Sequence, residues 1–358
     1  MKKGAPVDAM PEFEPLTIAS SNLMIEANAL RAQGEIFESA VKWVEAGRKL
    51  AELGTRLLHA GYTYEAARDV LNSAACFLEA GDHRPAEEQL ERFHKLPELK
   101  DILHSNKFMA DEFTHVSEWH AKRFQELEKA RRESSSQVQG DATRFDRLKE
   151  AWLVRTLTAL PGVPELHFIA AERYWTHDRR DKAIDHNRWS VRLRPFHVPF
   201  RVLLILHLST ARKWNEAISA SDESMHVCPR DPFLLWFAAW ARLEYVLRGS
   251  GPKKLLQEAE VLLTKAIKLA PRNAAYLQVG LRCTLAACLD RLGNTKKALA
   301  ELVRVAGEFP SPAADIAWQM AQVSAEKRRA IFSNASQLLI GPALRAAKYD
   351  PTDFLVAA

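Results

Sequence analysis

A chain of 358 residues has room for about two domains of roughly 150 residues each, or for one array that grows by repetition. Its 50 basic and 45 acidic side chains leave a net charge of +5, a mild surplus that does not argue for nucleic acid or an anionic membrane. No run of about 18 apolar residues occurs, so no membrane insertion is expected; glycine is sparse at 14 while alanine and leucine recur, which favours helix.

In chain order, Met1-Lys2-Lys3 is followed by Pro6, Asp8, Pro11, Glu12, Glu14 and Pro15 rather than by an apolar core. A signal peptide is therefore not expected, and residues 1–21 read as a disordered tail. A first helical block is expected over 22–133, closing in a charged helix from Lys107 to Arg132. Ser134-Ser135-Ser136-Gln137-Val138-Gln139-Gly140 reads as flexible, and the linker is placed at 134–145. The second block is expected over 146–358.

The second block carries a recurring alanine twelve residues before a proline: Ala183 and Pro195, Ala217 and Pro229, Ala259 and Pro271, Ala298 and Pro310. A helix running from near the alanine to just before the proline makes about three turns, and the proline ends it. The alanine falls where this helix crosses the preceding one, where a small side chain lets the axes approach. A second small residue lies twelve positions upstream in two units, Ala171 and Ala286, whereas Ile205 breaks the pattern. In the first block the same spacing joins Gly54 to Ala66, Ala74 to Ala86 and, more weakly, Asn28 to Ala40. Gly293 suits a left-handed cap, and Asp231-Pro232 and Ser311-Pro312 suit a helix start. Near the end, Leu344 to Lys348 reads as a helix closed by Pro351, and Thr352 to Ala358 as the opening of another.

Two helices per unit, successive prolines 34, 42 and 39 residues apart, small residues at the crossing and a closing proline resemble tetratricopeptide repeats. The clearest stretch is 164–310, with four units, and a looser one covers 28–97. The resemblance implies an all-α fold, a right-handed superhelix of helix-turn-helix repeats in two helical blocks. It further implies a non-catalytic, cytoplasmic scaffold, adaptor or chaperone. The related HAT-type helical repeat is the alternative fold, suggested by Trp175, Trp189 and the basic segment 173–194.

In such an array the first helix of each unit supplies the inner face. Phe168, Val202, Phe233, Trp236 and Trp240 fall there and are the candidate partner-binding residues, forming an apolar and aromatic groove suited to a peptide or an amphipathic helix. The competing assignment is that Trp236 and Trp240 pack against the next unit. A second function class, RNA association, would use Arg179, Arg180, Arg188 and Arg192, interleaved with Tyr174, Trp175 and Trp189, although nearby acids offer these arginines partners. Three Glu-x-x-His spacings (Glu91/His94, Glu112/His115, Glu223/His226) are expected to be polar surface pairs rather than a metal centre. Cys76, Cys228, Cys283 and Cys288 sit among apolar neighbours and read as buried hydrophobes in a reducing compartment. No cofactor is expected. The apolar last residues leave self-association open.

Overall fold

The computed structural model describes residues 12–136, 142–249 and 251–308, together with 317, 320–322 and 324. The described residues form 15 α-helices and no strand. They divide into two compact units, Met1–His167 and Phe168–Ala358. The expected features of 311–312 and 344–358 lie outside the described residues.

Unit 1 holds α1 (Glu14–Ala32), α2 (Ile36–His59), α3 (Thr63–Ala80), α4 (His83–His94), α5 (Leu99–Ser105), α6 (Lys107–Ser136) and α7 (Ala142–Ala159). Residues 14–21, expected in a tail, are helical; Phe13 anchors their start by burying its ring beside Leu53, Leu57 and Ala66. Ser134 to Ser136 continue α6 rather than opening a linker. The long helix α2 packs between α1 and α3. Its axis comes close to α3 because Gly47 lies under the Phe77 ring, where an added Cβ would stand 3.1 Å from ring carbons. Gly54 does the same lower down, against Val70 and the Ala66 carbonyl, as its twelve-residue partnership with Ala66 predicts. The Asn28/Ala40 spacing is one residue out of register. Ala27 is fully buried and Asn28 exposed, and the crossing is made by Ser39 Oγ donating to the Ala27 carbonyl at 2.8 Å.

Unit 2 begins within α8 (Pro164–Thr176) and continues through α9 (Arg180–Leu193), α10 (Val198–Thr210), α11 (Trp214–Val227), α12 (Pro232–Arg248), α13 (Lys254–Leu269), α14 (Ala275–Arg291) and α15 (Thr295–Glu308). These are four helix hairpins, and the fold is a tetratricopeptide-like α-solenoid. The crossing alanines Ala171, Ala183, Ala217, Ala259, Ala286 and Ala298 are all 0% exposed, which is what close axial approach requires. Each of α9, α11, α13 and α15 ends two residues before its proline. Asp231 caps α12 by accepting from the Leu234 amide at 3.0 Å, with Pro232 in the first turn.

Three of the four hairpin turns use a left-handed residue. Gly293 supplies it before α15 at φ +86° without a Cβ clash, while Asp178 and Arg212 take φ 58° and 60° at the turns before α9 and α11. Helix α10 packs on α12, and α12 on α14, so the first helices form one layer and the second helices another. The centres of α12 and α14 are buried on every side. All residues from Phe233 to Glu244 in α12 and from Leu277 to Asp290 in α14 are buried. An all-round apolar helix has nowhere else to go.

Candidate functional site

The five apolar candidates lie inside this first layer. Phe168, Val202, Phe233, Trp236 and Trp240 are at most 7% exposed and belong to one core cluster. Phe168 packs its ring 5.2 Å from that of Phe200. Trp236 reaches from α12 onto α14, where it lies over Gly280 and donates from Nε1 to Thr284 Oγ1 at 2.9 Å. A Cβ at position 280 would stand 2.2 Å from the indole, so the glycine makes the seat for the ring. These side chains join one hairpin to the next, and that use of their surface keeps it from solvent.

The four arginines of the nucleic-acid alternative are engaged by neighbours. Arg180 pairs with Asp178 at 2.8 Å and lies over the Trp175 ring. Arg188 pairs with Asp185 at 2.9 Å and with Glu216 at 2.5 Å. Arg179 lies over Tyr174 and Arg192 over Trp189, at 6.0 and 4.7 Å from the ring centroids. The aromatics interleaved with the basic residues thus stack on protein cations. Trp175 also stacks on the His207 imidazole at 3.9 Å. Burial lowers the His207 pKa to about 3 and that of His186 to about 4, so both imidazoles are neutral near pH 7.

Two of the three Glu-x-x-His glutamates pair with basic side chains. Glu223 accepts from Arg201, and Glu91 pairs with Lys95 at 3.4 Å. Cys76, Cys283 and Cys288 are buried free thiols, their pKa raised to about 12 by desolvation, and Cys228 is half-buried.

A series of buried arginines was not anticipated from the sequence. Arg201, Arg242 and Arg282 stand on three successive first helices, 2%, 5% and 7% exposed. Each projects between the second helices on either side. Arg201 donates to the Pro195 carbonyl at the end of the preceding hairpin, and from Nη1 to Glu223 and Ser224 on α11. Arg242 is held on both sides: Nη1 and Nη2 reach Ser221 and Asp222 on α11, and Nε reaches Glu258 on α13 at 3.1 Å. Arg282 is held on one side. Its Nη1 donates to Glu301 on α15 at 2.5 Å, and its buried Nε has no hydrogen-bond partner among the described residues. Toward α13 there is no carboxylate to meet it. Thr264 occupies the register that Asp222 holds in α11, seven residues before the closing proline in each case.

That unfilled side is an open cleft of about 820 Å³ between α13 and α15, floored by α14. Its lining includes Ile267, Lys268, Arg272, Gln278, Arg282 and Glu301. Gln278 is 3% exposed; its Nε2 donates to the Ala270 carbonyl at 3.0 Å, and its buried Oε1 accepts nothing among the described residues. The cleft floor therefore holds one orphan donor and one orphan acceptor. A buried polar atom left without a partner costs about 1–3 kcal/mol, so a ligand that meets both, after a small side-chain rotation that opens them to the cleft, recovers free energy. In sequence, Gln278 and Arg282 are an i, i+4 pair inside an apolar helix, a signal too common to mark a site unaided.

No family model matches the chain, and no curated protein does. Among solved structures, the chain is similar to residues 41 to the end of MamA from Desulfovibrio magneticus RS-1, at 15% identity over 51% of this chain and 93% of that one, with a TM-score of 0.39. It is similar to the TPR domain of P58(IPK) at 14% identity, over 92% of this chain and 97% of that one, with a TM-score of 0.33. The human IFIT1 dimer with PPP-AAAA is 11% identical over 98% of this chain and 89% of that one, with a TM-score of 0.36. Among the described residues, no helix is long and apolar enough to cross a membrane.

Proposed function

We propose that this chain is a non-catalytic scaffold that binds a segment of a partner protein, and that the partner lies in the cleft between α13 and α15. The observation that carries this reading is the contrast between two neighbouring seams. At Arg242 the seam is closed by carboxylates from both flanking helices. At Arg282 the seam stands open and keeps Gln278 Oε1 and Arg282 Nε unpartnered. An opening of about 820 Å³ is of ligand-site size, typically about 300–1,000 Å³. The apolar first-layer residues support this reading indirectly, by fixing α12 against α14 and so holding the cleft floor in place.

Photo-crosslinking tests it. A benzoylphenylalanine at position 268, on the cleft rim, is expected to capture a discrete protein from nuclease-treated native lysate. The same probe at position 254, beside the closed seam, is not. Equal protein capture at both positions sinks the assignment of the cleft. Adducts that vanish with nuclease move the chain to the RNA-associated class.

A further inference from the structure

The cleft's partner has a chemistry that its lining specifies, and this inference rests on the protein-binding reading above. We infer that the cleft between α13 and α15 takes an extended acidic peptide, with a side-chain carboxylate on Arg282 and a main-chain amide on Gln278. The internal comparison gives the first half. A buried guanidinium in this array is satisfied by acceptors from both neighbouring elements, as at Arg201 and Arg242. Arg282 has one carboxylate, Glu301, and lacks the second. A ligand carboxylate arriving from the α13 side completes the pattern in the geometry for which guanidinium is suited.

The second half comes from Gln278. With Nε2 donating to Ala270, the free atom is the carbonyl oxygen, which demands a donor. A carboxylate or a phosphate alone offers acceptors and leaves this oxygen unsatisfied. A peptide offers both, because a main-chain N–H accompanies every acidic side chain. The rim supplies the long-range attraction. Arg304 is paired with Glu308 at 2.8 Å, whereas Lys268 and Arg272 pair with no carboxylate among the described residues, so the rim carries uncompensated positive charge. The apolar lining is Ile267, Ala270 and Leu285. Among the described lining residues there is no aromatic ring to stack a base, which favours peptide over RNA.

The test is selection from a phage-displayed random dodecapeptide library on the full chain, followed by fluorescence anisotropy with the selected peptides and with an oligouridylate of equal length. The expected result is enrichment of peptides rich in aspartate and glutamate. Their affinity should fall at least tenfold in Arg282→Gln, about fivefold in Gln278→Leu and, by reversal of rim charge, about tenfold in Lys268→Glu. The exposed Lys268 variant keeps the test decisive if either buried variant fails to fold. Selected peptides that are neutral or basic, or that bind all three variants undiminished, overturn the acidic assignment while leaving a protein-binding scaffold standing. Oligouridylate binding without any selected peptide overturns both. Failure to select any peptide overturns the inference alone if crosslinking at 268 still captures a protein.

Discussion

At the buried seams between helices, unit 1 uses hydroxyl groups, whereas unit 2 uses a series of guanidinium groups. In unit 1, Ser39 donates to the Ala27 carbonyl and Ser73 to the Gly47 carbonyl at 2.7 Å, each across a seam of small residues. A hydroxyl has one proton to give, and the opposing helix backbone always provides a carbonyl, so such a seam is complete in itself. In unit 2, Arg201, Arg242 and Arg282 each bring several donors to a buried position, more than the side chains of one flanking helix satisfy. One change of residue type on a flanking helix leaves the donor set incomplete. A guanidinium seam is therefore easily converted into a recognition site, and a hydroxyl seam is not.

The sharpest way to break the comparison is at the glycines beneath the aromatic rings. Gly280→Ala places a methyl group 2.2 Å from a rigid indole that is itself bonded to Thr284. Denaturant titration should show a loss of about 3 kcal/mol, at the upper end of overpacking costs. Gly47→Ala meets the Phe77 ring at 3.1 Å, where a few tenths of an ångström of yielding suffices, and should cost about 1 kcal/mol. Equal effects would remove the distinction between a wedged seam and a merely close one.

Replacing the arginines comes next. Arg242→Met strands Asp222, Glu258 and Ser221, and should lower the unfolding free energy by about 2 kcal/mol, tempered by the partial exposure of both carboxylates. Arg282→Met removes an orphan donor along with a single ion pair and should change stability by less than about 0.5 kcal/mol. A large loss at Arg282 would mean that its seam is satisfied after all.

Acid should also act on unit 2. Burial depresses the pKa of His207 and His186, so between their folded and ordinary values the unfolded chain binds more protons. Their contribution is complete above pH 6.5 and is lost as pH falls toward about 4 and then 3. Glu172, 3.6 Å from His207, has a pKa raised by burial and gives an opposing slope in the acidic range above its ordinary value. A net fall in stability between pH 6.5 and 4 is expected, seen as faster hydrogen exchange in α8 to α10. His186→Phe/His207→Phe should flatten this slope, and an unchanged slope would place the protonation elsewhere. The smallest effect belongs to unit 1, where Ser73→Ala should cost about 1 kcal/mol or less in thermal unfolding.

Much of the fold was legible because its determinants are local. A proline stops a helix wherever it stands, and an alanine at a crossing is small whatever lies opposite, so Ala183, Ala217, Ala259 and Ala298 located the second helices. Asn28/Ala40 slipped by one residue because serine also serves at a crossing, and the polarity of Ser39 hid it. The placement of Trp236 and Trp240 depended on information that spacing does not contain. An aromatic side chain on a first helix faces solvent or the next hairpin according to what that hairpin offers, and here it offers Gly280, 44 positions away. The arginine series was harder still. Its members recur at intervals of 41 and 40 residues but at different heights on their helices, and their meaning depends on which neighbours carry a carboxylate.

The indole of Trp236, seated on α14, has a consequence for how the array comes apart. In a solenoid each hairpin gains part of its stability from its neighbour, and the strength of that coupling sets whether repeats melt singly or together. A large ring enclosed by the next hairpin and tethered to Thr284 makes the coupling between the third and fourth hairpins of unit 2 all-or-none at that joint. The fourth hairpin cannot fray without withdrawing the ring and opening the centre of α12, so the floor of the cleft and the middle of the unit should gain and lose order in a single step.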